Sequence, residues 1–353
     1  MRKSTTLSAT LTICASLAVL ASGCVDQTKS SSSPTASPLS GPAGMARYLA
    51  DLPAVKKVNI WENKYAPGIT IYTNHYKIHT TLMEPLMLRQ LPGFIEAAHD
   101  SYQRQLPGPI KTRTILTVYL FATRSQWELF TNEFAAPNSR AYMKIKRGAY
   151  YLNGSCVAYN IGRVASFSVI AHEGWHQFTS KHFTYRLPSW LDEGIATLFE
   201  TSKYDGGKFH FYPDRNGGRL GSLRKTLIEG NMIPLEKLIT LNPGQIVSDV
   251  NANAVIAFYG QSYALVRFLR EDGYGKRLKK FHGMMTGALR GTWPLPEQLR
   301  KTASDRNIPM TNRWNRFISP KLFEMYFEQT PQELEAEYTA YCKKIVYHVR
   351  LKK

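Results

Sequence analysis

Along this chain the apolar positions follow two rhythms, and the switches between them predict most of the elements. Residues 68–73 alternate, with Ile69 and Ile71 set against Thr70 and Tyr72, as a half-buried strand does. Residues 114–121 are apolar and rich in β-formers, and residues 142–161, divided by Asn153-Gly154, have the form of a hairpin. Between these strands, apolar residues three and four apart predict helices over 84–106 and 125–134. After residue 163 the helical rhythm dominates. It runs over 166–178 through Phe167, Val169, Ile170, Ala171, Trp175 and Phe178, breaks at a turn over 181–187, and resumes over 189–200 behind Pro188, a residue suited to a first turn. Gly206-Gly207 and Asn216-Gly217-Gly218 mark loops around a short strand at 208–212, and amphipathic helices are predicted over 254–271, 274–285 and 331–348. The expected fold class is α+β with two lobes: a mixed α/β lobe over 45–163 with a small sheet, and a mainly helical lobe over 164–353.

The first 44 residues stand outside this pattern. Arg2 and Lys3 precede an apolar run over 7–20 that is too short to span a bilayer, which predicts an export signal over 1–23. The run ends in Leu20-Ala21-Ser22-Gly23-Cys24, which resembles the lipobox of bacterial lipoproteins. That resemblance implies cleavage before Cys24, lipidation of Cys24, and anchoring to the cell envelope. With Val25 rather than an aspartate following, it implies an outer membrane location facing the periplasm or the surface. Residues 25–44 hold six serines and three prolines, too little apolar surface to fold, so 24–44 is expected to be a tether. Once the signal is gone only Cys24, Cys156 and Cys342 remain; the last two either pair in an oxidising compartment or stay separate buried thiols.

The chemistry concentrates between residues 166 and 200. His172-Glu173-Gly174-Trp175-His176 places two imidazoles four residues apart, one above the other on a single helix face, where both can address one ion. Glu173 projects from the adjacent flank, the place for a general base that is not itself a ligand. Chance produces such a pattern on the order of once in a hundred chains like this one, and unpaired histidines on so apolar a helix are costly. Zn2+ with an open position needs a third protein ligand, and Glu193 is the choice. If the helices at 166–178 and 189–200 run antiparallel, it lies level with the imidazoles, while Asp192 points about 100° away. Glu200, two turns later, either orients a ligand imidazole from behind or is a solvated carboxylate at a helix end.

His172-Glu173-Gly174-Trp175-His176 followed by Trp190-Leu191-Asp192-Glu193-Gly194-Ile195-Ala196 resembles the gluzincin zinc metallopeptidases, especially the bacterial peptidase-MA-like families. The resemblance covers about 35 residues. It implies a thermolysin-like two-lobed architecture with zinc between the lobes on His172, His176 and Glu193, Glu173 as base, and a peptide or protein as substrate. A weaker likeness continues over 259–269, where similar families carry a tyrosine-bearing helix. It implies that Tyr259, or Tyr263 four residues on, steadies the oxyanion, with Tyr259 preferred. Gluzincins pair an edge strand with the substrate backbone at the place of residues 150–159. Thermolysin-like members have an aspartate four residues after the glutamate ligand where this chain has Thr197, so the groups supporting the ligands are not carried over.

The formal charge is +19, or +17 once Arg2 and Lys3 leave with the signal (19 − 2). A tethered chain so basic is drawn to anionic lipids, wall polymers or acidic substrates. No stacking platform or reading helix is present, so nucleic acid is not an expected partner. The expected function is a zinc metallopeptidase. The competing expectation is a non-catalytic envelope lipoprotein that keeps the scaffold and binds anionic polymers. The glycine-rich loop over 203–219 is a candidate cover for the cleft.

Overall fold

The computed structural model describes residues 41–146, 148–248, 252–308 and 310–350, so the export signal, Cys24 and the tether up to residue 40 lie outside the described residues. Helix α1 (Gly41–Ala50) leads into β1 (Lys57–Trp61), β2 (Gly68–Tyr72) and β3 (Tyr76–Thr80), and α2 (Pro85–Gln103) connects β3 to β4 (Leu116–Phe121). Helix α3 (Arg124–Phe134) and the single turn α4 (Ser139–Tyr142) precede the hairpin of β5 (Ala149–Leu152) and β6 (Ser155–Tyr159). Next come α5 (Arg163–His182), α6 (Ser189–Ala196) with a 3-10 turn at Thr197–Phe199, a second hairpin of β7 (Ser202–Asp205) and β8 (Lys208–Phe211), and a 3-10 turn at Pro213–Arg215. The remainder is helical: α7 (Gly217–Ile228), α8 (Leu235–Leu238), α9 (Pro243–Ser248), α10 (Ala252–Gly275), α11 (Leu278–Arg290), α12 (Glu297–Ser304), α13 (Asn312–Phe327) and α14 (Pro331–Ile345).

The first six strands form one mixed sheet in the order β1-β2-β3-β4-β6-β5, with β3, β4 and β6 parallel and the flanking strands antiparallel. Strand alternation assigns its faces. Ile69, Ile71, Ile78, Val118, Leu120, Cys156 and Ala158 point into the main core shared with α2 and α5. Phe121, Tyr150, Val157 and Tyr159 point the other way, onto Trp127 and Phe130 of α3. The main core is continuous from Met45 to Val346, so the sheet and the C-terminal helices share one interior. No described helix is long and apolar enough to cross a membrane.

Several expectations change. Residues 41–44, placed in the tether by the sequence, belong to α1, with Gly44 buried. Of the two alternatives for Cys156 on β6 and Cys342 on α14, the structure has the separate, buried, free thiols. Strand β6 lies between β4 and β5, hydrogen-bonded on both sides, which leaves only β5 of the stretch 150–159 with a free backbone edge. The loop expected over 203–219 is largely the β7–β8 hairpin, whose Phe209 packs on Phe94 and Phe167. The helix expected from 274 starts at 278, because Gly273, Tyr274 and Gly275 all take positive φ and break it from α10.

A candidate metal centre on helices α5 and α6

Helix α5 is fastened to the sheet along one flank and to α2 along another. The Gln177 amide donates to the carbonyls of Thr117 (2.7 Å) and Gly154 (2.8 Å), and the Tyr102 hydroxyl donates to the Ala171 carbonyl at 2.7 Å, passing over Gly174. Helix α6 is fastened from the far end of the chain. The Ser189 amide donates to Asn315 Oδ1 at 3.0 Å, and Trp190 Nε1 donates to Ser319 Oγ at 2.8 Å, both partners on α13. On its inner side Gly194 lets α6 lie against α10, where an added Cβ would stand 2.5 Å from the Ser262 carbonyl. Gly194→Ala is therefore expected to lower stability by about 2 kcal/mol and to weaken metal binding, because α6 must shift to make room. Chemical denaturation and metal titration of the variant read the two effects, and wild-type values for both would refute this account of the contact.

Between these helices the expected ligands meet. His172 Nε2 lies 3.2 Å and His176 Nε2 3.6 Å from the same atom, Glu193 Oε2. Ligand atoms about 2.1 Å from an ion at the tetrahedral angle stand roughly 3.4 Å apart, so this spacing is the one such an ion needs. The three residues are buried and close enough together to hold a metal ion. Each outer ring nitrogen is bound as well: His172 Nδ1 lies 2.9 Å from Glu200 Oε1, and His176 Nδ1 lies 3.0 Å from Asp192 Oδ2. A carboxylate behind a ligand imidazole fixes its tautomer and its aim. Of the two alternatives for Glu200, the structure gives the orienting one: the carboxylate is held by Arg219 (2.8 and 2.5 Å) and Asn216 (2.8 Å).

Asp192 was set aside in the sequence because it turns away from the ion. That same rotation brings it to the back of His176, so the signal was present in the Asp-Glu pair. Asp192→Asn is expected to keep the fold and weaken metal affinity 10- to 100-fold, measured by competition with a chelating dye; an unchanged affinity would show that the contact orients nothing.

The electrostatics follow from burial. Burial alone would lower His172, but its contacts with Glu193 and Glu200 outweigh it and hold the imidazole up at about 9. Burial raises Glu193 and Glu200; the neighbouring His176 charge and the Arg219 charge, respectively, dominate and keep both carboxylates well below their usual range. Glu173 is different. It is 0 % exposed, neither oxygen makes a hydrogen bond of good geometry, and burial pushes it up to about 7 against the pull of both imidazoles and the Tyr151 amide.

The two tyrosines separate. Tyr263 donates its hydroxyl to the Pro213 carbonyl at 2.6 Å and accepts from Arg267, away from the imidazoles. Tyr259 is brought to the site, its ring 6.4 Å from that of His172 and 4.8 Å beneath the Arg219 guanidinium. It is buried beside His172 and Arg219.

Those cavities flank the centre. One, of about 590 Å³, opens between the start of α5, the β7–β8 hairpin and the start of α7, and reaches Glu200. Part of the stretch expected to cover the cleft, with Tyr204, Phe209 and Arg215, forms its wall. The other, of about 90 Å³, has His176 and Asp192 on one side and Tyr151 of β5 on another. No protein-family model and no curated protein matches the chain.

Proposed function

We propose that the protein is a zinc metallopeptidase of gluzincin type, exported and anchored to the cell envelope through Cys24. The observation that carries this is the convergence of two imidazoles on one Glu193 oxygen, with both rings aimed from behind by carboxylates and a fully buried carboxyl, Glu173, one residue from the first. Two imidazole nitrogens and one carboxylate oxygen are the donor set of a catalytic zinc site that keeps a fourth position open. Zinc held by His172, His176 and Glu193 would supply a Lewis acid and an acidified water.

The chain's own residues do the rest. Glu173 takes a proton from the attacking water at a carboxylate oxygen and returns it to the leaving amine. Asp192 and Glu200 keep the imidazole nitrogens facing inward while this happens. The free edge of β5 runs past Glu173 through Tyr151, so an extended peptide laid along it brings a carbonyl over the centre by strand addition. Metal content of the purified protein and its hydrolysis of casein, before and after dialysis against a chelator, test the proposal. Stoichiometric zinc and loss of hydrolysis on its removal, with recovery on readdition, are expected. Hydrolysis indifferent to the chelator would end the proposal.

A further inference from the structure

The walls of the two flanking cavities share one property. Each contains a single carboxylate, Glu200 in the larger and Asp192 in the smaller, and each of these is bound to a ligand imidazole. The cations are in excess. Arg163 and Arg215 stand beside the larger cavity in addition to Arg219, whose charge is engaged by Glu200, and Arg186 and Arg306 line the smaller. Among the described residues no carboxylate comes within ion-pair distance of Arg163, Arg186 or Arg306, and Arg215 meets only the exposed Asp214 at 3.9 Å.

Arg186 is the most telling of the four. One of its nitrogens donates to the Ile308 carbonyl, but Nε and Nη2 are buried without an acceptor. Burial and the neighbouring Arg306 charge hold it down at about 10, with Asp305 only partly offsetting them. Buried donors of a charged group left without acceptors, beside a second like charge, describe a receptor for an anion.

We infer that the cleft selects acidic polypeptides, with Arg163 and Arg215 receiving a carboxylate on one side of the metal centre and Arg186 and Arg306 receiving another on the opposite side. The inference rests on the peptidase reading and deepens it by naming the substrate class. The apolar floor of the larger cavity, Phe167, Val169 and Phe209, seats the stem of such a side chain while the arginines at the rim hold its head. The same walls disfavour lysine and arginine by like charge.

The test is a set of peptides with one cleavable bond flanked by glutamates, the glutamine twin of each, and both with free and amidated C-termini. The acidic peptide is expected to exceed its glutamine twin about tenfold in kcat/KM per side at low salt, with the difference in KM and shrinking as salt rises. Arg163→Gln and Arg306→Gln, both at exposed positions, should each remove the preference on one side only, and Lys343→Gln on α14 should leave the ratio unchanged. A preference that disappears on amidation assigns the carboxylate to the chain terminus rather than a side chain. Binding of labelled peptides to Glu173→Gln, followed by anisotropy, reads selectivity without turnover. If no peptide is cut yet the acidic one binds tighter, the peptidase reading fails and the acid-selective cleft stands. If glutamine twins are cut and bound equally well, the inference is wrong and the enzyme stands. Binding of heparin or anionic vesicles as tight as of the acidic peptide, insensitive to both arginine changes, would also overturn it, in favour of unselective polyanion attraction.

Discussion

Replacing Glu173 by glutamine is expected to leave the bound metal and the fold intact while lowering peptide turnover roughly 100- to 10,000-fold, the range a positioned general base supplies. The amide has the size of the carboxyl it replaces, and its oxygen can still face the Tyr151 amide, the one backbone group that acts on Glu173. The substitution also removes an ionisable group that is 0 % exposed, so the variant should unfold at a denaturant concentration no lower than wild type. Metal analysis, kcat on a cleaved peptide and a denaturation curve, taken on one preparation, separate the possibilities. Retained metal with undiminished kcat removes Glu173 from the chemistry, whereas lost metal would mean that the residue shapes the site instead.

Arg219→Met is expected to cost about 3 kcal/mol of stability, although the residue contacts no ligand. Its guanidinium meets both Glu200 oxygens, and both side chains are about nine-tenths buried. Methionine keeps the volume and leaves Glu200 with Asn216 and His172 alone, a buried carboxylate short of its main counter-charge. Metal affinity should drop about tenfold at the same time, because Glu200 sets the aim of His172. The double variant Arg219→Met, Glu200→Gln should recover a good part of the stability but not the affinity. A double-mutant cycle in urea decides it: additive losses would mean that the two residues act independently.

Some of this was legible in the sequence, and the reasons differ from place to place. The i, i+4 imidazoles and the later glutamate were found because helical geometry converts spacing directly into position. Strands β2 and β4 and helices α2, α3 and α5 followed from their periodicity, within a few residues. What was missed depends on contacts that no local pattern encodes. Arg219 and Asn216 reach Glu200 from the start of α7, after a hairpin of which the sequence showed only the second strand. Thr197 stands where thermolysin-like members carry an aspartate, and Glu200, one of whose two expected places was behind a ligand imidazole, reaches His172 from one 3-10 turn further on. Strands β1 and β3 are short and were unrecognised, and the interior position of β6 is a matter of sheet order, which alternation alone does not fix.

The fastening of α6 to α13 has a consequence for the life of the chain. The helix bearing Glu193 can take its bonds to Asn315 and Ser319 only once the chain has been made beyond residue 319. A product ended before α13 would carry two imidazoles on α5 with the Glu193 helix unsecured. Late docking of a distant segment thus ties completion of the His172-His176-Glu193 cluster to completion of the fold.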